Sequence, residues 1–175
     1  MTESAPQRGG LEHILKYIDV ASMSGLEIGP LHNPVVSKDN GHSVFYVDHA
    51  DTETLRQKYA DHTNVHIAID VDYVWSGPLR EVVGAAAPFD YVIASHVIEH
   101  VPDLVTWLDE LADVLRPGGV ISLVIPDKRF CFDARRRTTD VNELVDAYLA
   151  KHTRPSLAQI YDFWAKYVTV DAVET

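Results

Sequence analysis

An α/β fold with a doubly wound, mostly parallel sheet is predicted by two features of this 175-residue chain. Apolar runs of strand length alternate with amphipathic segments of helical period from Gly25 to Ile125, the pattern of strand–helix–strand crossovers. Two of those runs also end in chemistry: Gly25-Leu26-Glu27-Ile28-Gly29 and Phe45-Tyr46-Val47-Asp48, with Glu27 and Asp48 21 residues apart. That is about the span of one strand–helix–strand unit whose second strand ends on an acid able to hold a ribose. A nucleoside-type cofactor is the first expectation.

Residues 1–10 are polar and read as a loose tail. Leu11, Ile14, Leu15 and Ile18 recur at helical spacing and predict a short lead-in helix. Gly25 to Gly29 is the first strand. Pro30-Leu31-His32-Asn33-Pro34 is not regular helix, because Pro34 biases Asn33 away from it. Ser43 to Val47 is the second strand. Asp51-Thr52-Glu53-Thr54 opens a helix to about Tyr59, with acids at the positive end of its dipole. Asn64 to Val71 is expected as the third strand, and Leu79 to Val83 as a short amphipathic piece before a weak linker, Ala85 to Pro88.

Phe89 to Ser95 lacks polar alternation, as expected of a strand buried on both faces. Asp103 caps a helix whose Leu104, Trp107, Leu108, Leu111, Ala112 and Leu115 keep a 3–4 spacing. Arg116-Pro117-Gly118-Gly119 stops it, and Val120 to Ile125 is the fifth strand. An irregular basic segment and two helices, Val141 to Ala150 and Leu157 to Val168, follow.

Composition narrows the partners. The net charge of −11 repels phosphate backbones, so nucleic acid is not expected. Lys128-Arg129 and Arg135-Arg136-Arg137 could hold an anionic substrate group or form a solvated helix face. Cys131 is the only cysteine, so no internal disulfide forms. There is no signal-peptide pattern and no apolar run near the ~20 residues a membrane span needs. A cytoplasmic protein without a membrane partner is expected.

In open α/β sheets, ligands bind beyond the carboxyl ends of the strands. That rule selects Glu27–Leu31, Asp48–His49, Asp70–Asp72, Ser95–His100 and Pro126–Asp127. Gly29 permits close backbone approach to a ligand. Glu27 is a carboxylate at an apolar strand end and requires a partner, either a cationic ligand group or backbone amides of the following loop. Asp48 can accept bonds from both hydroxyls of a ribose, or else cap the following helix. A dinucleotide site would carry Gly-x-Gly-x-x-Gly after the first strand. Here Pro30 follows the one glycine, which favours a cofactor without a pyrophosphate, such as S-adenosylmethionine.

The order of segments resembles the class I S-adenosylmethionine-dependent methyltransferases, notably their type-11 branch. Glu27-Ile28-Gly29 resembles the acidic start of that family's first motif, and Asp48 falls where its ribose acid lies. Phe89-Asp90-Tyr91-Val92-Ile93 with His96-Val97-Ile98-Glu99-His100 resembles the fourth-strand motif. Leu115-Arg116-Pro117-Gly118-Gly119 resembles the turn before the fifth strand. Pro30 and His32 stand where that motif usually has glycines. The segment Glu27 to Pro34, with Pro126-Asp127-Lys128-Arg129-Phe130, looks like a bacterial subset often associated with glycan or glycosyl-transfer pathways.

The resemblance implies a Rossmann-like fold and S-adenosylmethionine as cofactor, bound by Glu27, Ile28, Gly29, Pro30, Asp48, His49, Asp70, Asp72, Ser95 and His96. It places adenine by the third-strand loop, with Asp70 or Asp72 at its N6 amine, and the methionine part by Ser95 and His96. It implies a small-molecule or glycan-type acceptor and O-methylation. A hydroxyl acceptor needs a base, for which His96, His100 and Asp127 are candidates. Ser95-His96-Val97-Ile98 lacks the Asn/Asp-Pro-Pro-aromatic signature of the family's amino-methyltransferases on DNA and protein glutamine. The family ends in two further strands, whereas only Tyr167 to Val170 is a candidate here. A sheet of five strands, incomplete at its C-terminal side and with an exposed edge, is therefore expected. Residues 11–127 form the cofactor domain and 128–175 a helical extension of it. In that extension Tyr148, Tyr161, Phe163 and Trp164 either cover the substrate side or pack in a core.

Three alternatives compete. His96-x-x-Glu99-His100 spells an inverted zinc-peptidase motif, but it stops at Val101-Pro102 with little helix to carry it; no metal is expected. A nicotinamide-dependent oxidoreductase or epimerase would need the missing phosphate glycines and a Tyr-x-x-x-Lys pair. A non-catalytic Rossmann-like domain would bind no cofactor.

Overall fold

The computed structural model describes residues 10–63, 65–67 and 69–168. The chain divides into two compact units. One comprises the described residues up to Val97 together with Glu110–Val124; the other comprises Ile98–Asp109 and the described residues from Ile125 onward.

The first unit is a five-stranded sheet, flanked by helices, built from β1 (Gly25–Ile28), β2 (Val44–Asp48), β3 (Tyr73–Val74), β4 (Phe89–Ser95) and β5 (Leu115–Val124). The order across the sheet is β3-β2-β1-β4-β5, and every neighbouring pair is parallel. α1 (Leu11–Ile14) precedes the strands, α2 (Thr52–Lys58) and α3 (Leu79–Val83) lie between them in sequence, and α4 (Leu104–Asp113) is divided, with Glu110–Asp113 in this unit and Leu104–Asp109 in the other. This is a Rossmann-like sheet. β1 is buried at all four positions, and Phe89, Tyr91, Val92 and Ile93 of β4 are fully buried, because central strands of a parallel sheet are covered on both faces.

Register fixes which side chains meet. Gly25 pairs with Val44 and with Tyr91, and Glu27 with Tyr46 and with Ile93. Val44, Tyr46, Tyr91 and Ile93 join Ile18, Val36, Leu55, Ile67 and Ile69 in one core. Leu55 is the buried residue of α2, whose N-cap Asp51 accepts the Thr54 amide. Ile14 and Leu15 pack against the same core. Ser122 Oγ also donates to the Ile14 carbonyl at 2.8 Å.

Three elements depart from the sequence reading. The lead-in helix stops at Ile14, and turns carry the chain to Ile18, which is still buried. The expected third strand at 64–71 is displaced to Tyr73–Val74, with Asn64 and Ala68 outside the described residues. Ile67 and Ile69 are buried there without pairing in the sheet, so their apolar pattern marked burial rather than a ladder. β5 begins at Leu115 instead of Val120. Leu115 pairs with Phe89 and Val120 with Tyr91, so five steps on β5 match two on β4, and Arg116–Gly119 form the bulge. Arg116 pairs there with Asp90.

The second unit is helical. Asp103 caps α4, accepting the Thr106 amide at 3.1 Å and its hydroxyl at 2.6 Å. α5 (Val141–Ala150) and α6 (Leu157–Lys166) each start with a capping box, Asp140 with Glu143 and Ser156 with Gln159. Arg136 ties Asp133 at 3.3 Å to Asp162 at 3.1 Å. Phe132, Phe163 and Tyr167 form an aromatic cluster with centroids 5.5–5.8 Å apart. Trp164 meets Phe163 edge-on at 5.2 Å, and both it and Tyr161 are about three-quarters exposed, so Phe163 and Trp164 of the aromatic residues singled out on α6 adjoin that cluster. Tyr167 and Val168 are not in a strand; the rest of that strand candidate, Thr169 and Val170, lies outside the described residues.

Candidate cofactor site

Three neighbouring strands end at one level. Ile28 pairs with Val47 on one side and Ala94 on the other, so the next residues, Asp48, Gly29 and Ser95, stand side by side at the carboxyl rim. The Gly29 amide donates to the Val47 carbonyl at 2.8 Å and prolongs the ladder by one bond. Gly29 has φ +64°, and a Cβ there would stand 3.0 Å from Val97 Cγ2. The left-handed backbone conformation favours glycine, and a side chain there would crowd Val97.

Glu27 organises the loop that follows. It is buried, and its Oε1 accepts the Val35 amide at 2.6 Å while Oε2 accepts the Val36 amide at 3.0 Å. Of its two foreseen partners, the loop amides take the carboxylate. Pro30–Asn33 is a turn closed by the Asn33 amide on the Pro30 carbonyl at 2.9 Å. Leu31 holds φ +50° inside it, a strained conformation for a branched residue. Tyr46 pins the far end, donating its hydroxyl to the Val36 carbonyl at 2.7 Å and accepting the Lys38 amide at 3.3 Å. Burial pushes the Tyr46 hydroxyl up to about 12, with the Glu27 carboxylate adding to the shift. A carboxylate and a tyrosine thus shape the loop that a glycine-rich motif shapes elsewhere. Ile28 is buried beside Glu27, and Pro30 is buried at the loop's start.

Asp48 sits at the end of β2, 3% exposed. Its Oδ1 accepts the His49 amide at 2.7 Å and contacts His49 Nδ1 at 2.6 Å. Its Oδ2 is buried without a hydrogen-bond partner, as are the Tyr91 hydroxyl and Trp107 Nε1. Capping α2 falls to Asp51, so the alternative role for Asp48 is taken by another residue. The Asp48 carbonyl accepts the Trp75 amide at 2.8 Å, which sets the residue after β3 beside the acid.

Asp70 and Asp72, inseparable by spacing, differ in structure. Asp72 Oδ2 accepts the Tyr46 amide at 2.6 Å and pairs with Lys38 Nζ at 2.5 Å. Its carboxylate ties β2 to the loop of Lys38. The Asp70 side chain is largely exposed, with Arg56 at 3.5 Å, and is the more accessible of the two to a ligand amine.

Ser95 ends β4, and the next residue, His96, is exposed with φ +56°. Its amide donates to the Val124 carbonyl at 3.0 Å. Strained non-glycine residues therefore follow both central strands, Leu31 after β1 and His96 after β4, a distribution typical of ligand sites. In the second unit, Ile98–His100 is a single 3₁₀ turn, so the helix a zinc-peptidase motif requires is absent there. No group of three metal-ligating side chains occurs among the described residues. Asp127 binds Arg129, whose Nε lies 2.9 Å from Oδ2. That hydrogen bond holds the Asp127 carboxyl down to about 2, which makes it a weak base.

Lys38, Tyr46, Lys58 and Trp75 are the neighbours that sequence reasoning missed.

No helix among the described residues is long and apolar enough to cross a membrane. A family model described as a methyltransferase domain matches residues 7–167. A ubiquinone biosynthesis O-methyltransferase from Paramagnetospirillum magneticum is 34% identical over 107 residues, which is 61% of this chain and 38% of that protein. The chain thus spans less than two-fifths of that relative. The CcbJ methyltransferase from Streptomyces caelestis superposes with a TM-score of 0.42 at 22% identity, covering 65% of this chain and 47% of that one. The CurJ carbon methyltransferase gives 0.39 at 15% identity, covering 90% and 40%.

Proposed function

The chain belongs to the methyltransferase-domain family, and from that premise we propose that it transfers a methyl group from S-adenosylmethionine to a hydroxyl of a small-molecule acceptor, glycans included. The observation that carries the cofactor assignment is Asp48, a buried strand-end carboxylate with one oxygen lacking a partner. A buried carboxylate oxygen without a donor is costly, and a ribose hydroxyl supplies that donor. The relative named as an O-methyltransferase supports the choice of oxygen as acceptor.

S-adenosylmethionine, when bound, supplies an electrophilic methyl group on a sulfonium. The residues of this chain bind and orient. Asp48 takes the ribose, Gly29 and Pro30 let the backbone approach the cofactor closely, and Glu27 holds the loop that walls it. Asp70 meets the adenine amine, and Ser95 with His96 flank the methionine part. Methyl transfer needs in-line alignment above all, so positioning is the main contribution of the protein. A hydroxyl acceptor also needs its proton removed. His96 and His100 suit that role better than Asp127, whose low pKa leaves it little basicity.

The test is a melting-temperature comparison with S-adenosylhomocysteine and with NAD. Stabilisation by the former alone supports the reading. Stabilisation by NAD alone, or by neither, refutes it. Labelled S-adenosylmethionine with hydroxylated acceptors then identifies what receives the methyl group.

A further inference from the structure

The two oxygens of the Asp48 carboxylate are in opposite states. Oδ1 is saturated by His49, through its amide at 2.7 Å and its ring Nδ1 at 2.6 Å. Oδ2 is closed from solvent and lacks a partner. On the other side of the ring, Lys58 Nζ lies 3.0 Å from His49 Nε2. An ammonium only donates, so Nε2 accepts, and the ring proton is on Nδ1, donated to Asp48. One tautomer of a neutral imidazole satisfies both contacts. The chain of bonds runs from Lys58 at the end of α2, through His49, to the acid at the end of β2.

A vicinal diol places one hydroxyl on each oxygen of a carboxylate. Here one oxygen is filled and the other is covered. The part that can move is the ring, whose side chain is 52% exposed; the His49 amide is fixed by the backbone. We propose that His49 is a positioning residue, a latch that occupies Asp48 in the cofactor-free chain and swings outward when a ribose diol takes the carboxylate. Lys58 strengthens the latch by holding the far nitrogen. This inference rests on the assignment of Asp48 as the ribose acid. The latched population lowers the apparent affinity in proportion to the fraction of open sites.

Calorimetric titration of the whole chain with S-adenosylhomocysteine tests it. His49→Ala binds about five- to tenfold tighter than wild type, the equivalent of one competing hydrogen bond. Lys58→Met falls between the two. Nitrogen NMR of the His49 ring reports the Nδ1-protonated form in the free chain and loss of that signature on binding, which a merely structural histidine would not show. Wild-type or weaker affinity in His49→Ala, or a ring signature unchanged by ligand, overturns the latch. Asp48→Ala separates the two claims. Lost binding there with wild-type affinity in His49→Ala sinks the latch alone, whereas full binding in Asp48→Ala sinks the ribose assignment and the latch with it.

Discussion

Glu27 Oε1 lies 2.6 Å from the amide nitrogen of Val35, and Oε2 takes the next amide along the chain. The third residue of a buried strand thereby fixes a loop eight positions downstream. The effect is local in space and non-local in sequence, and it determines where the backbone runs over the strand ends.

The first expectation concerns this brace. Glu27→Gln keeps the shape but turns an amide NH₂ toward a backbone N–H, leaving a buried donor unsatisfied. The cost is about 1–3 kcal/mol, read as a lower urea midpoint at unchanged slope. S-adenosylhomocysteine affinity falls with it, because the loop is released. A variant as stable as wild type would show that the two amides find other acceptors.

Gly25 faces Tyr91 so closely that a Cβ would stand 2.0 Å from the ring. Tyr91 is fully buried, so its ring can give way only by disturbing the packing around it. Gly25→Ala therefore overpacks the sheet and costs about 1–3 kcal/mol or more. Adding Tyr91→Leu restores part of the loss, and a double-mutant cycle measures the coupling. Additive effects would contradict the contact.

Alkaline stability follows from the two buried tyrosines. Burial is the main cause raising both Tyr46 and Tyr91 from 10.0 to about 12. Folding thus favours their neutral forms, so their contribution is complete below about pH 10 and is lost as pH rises toward about 12. Urea midpoints should fall across that window while tyrosinate absorbance appears. Tyr46→Phe flattens the fall. Free ionisation of every tyrosine near pH 10, without unfolding, would refute it.

Much of the fold was legible because its signals are local. The uninterrupted apolar run Phe89–Ser95 gave β4 to the residue, and Val141–Ala150 gave α5, whose capping box Asp140 and Glu143 completes. The third strand was illegible because Ile67 and Ile69 are buried without pairing, and burial and pairing share one apolar signature. The β5 start was hidden because Pro117 and Gly118 read as an end, whereas the sheet absorbs them as a bulge between Leu115 and Val120. At the site, Asp48 was visible as an acid closing a strand. The tie of its neighbour His49 to Lys58 was not, since it depends on how α2 turns back over the strand end. Nor could spacing separate Asp70 from Asp72, which differ because Lys38 reaches Asp72 from far upstream.

The most direct measurement is the affinity of S-adenosylhomocysteine for Asp48→Ala by titration calorimetry, beside wild type. Removing a carboxylate that accepts both ribose hydroxyls should weaken binding by about a hundredfold or more while the fold persists by circular dichroism. Affinity equal to wild type in a folded Asp48→Ala chain would contradict the account.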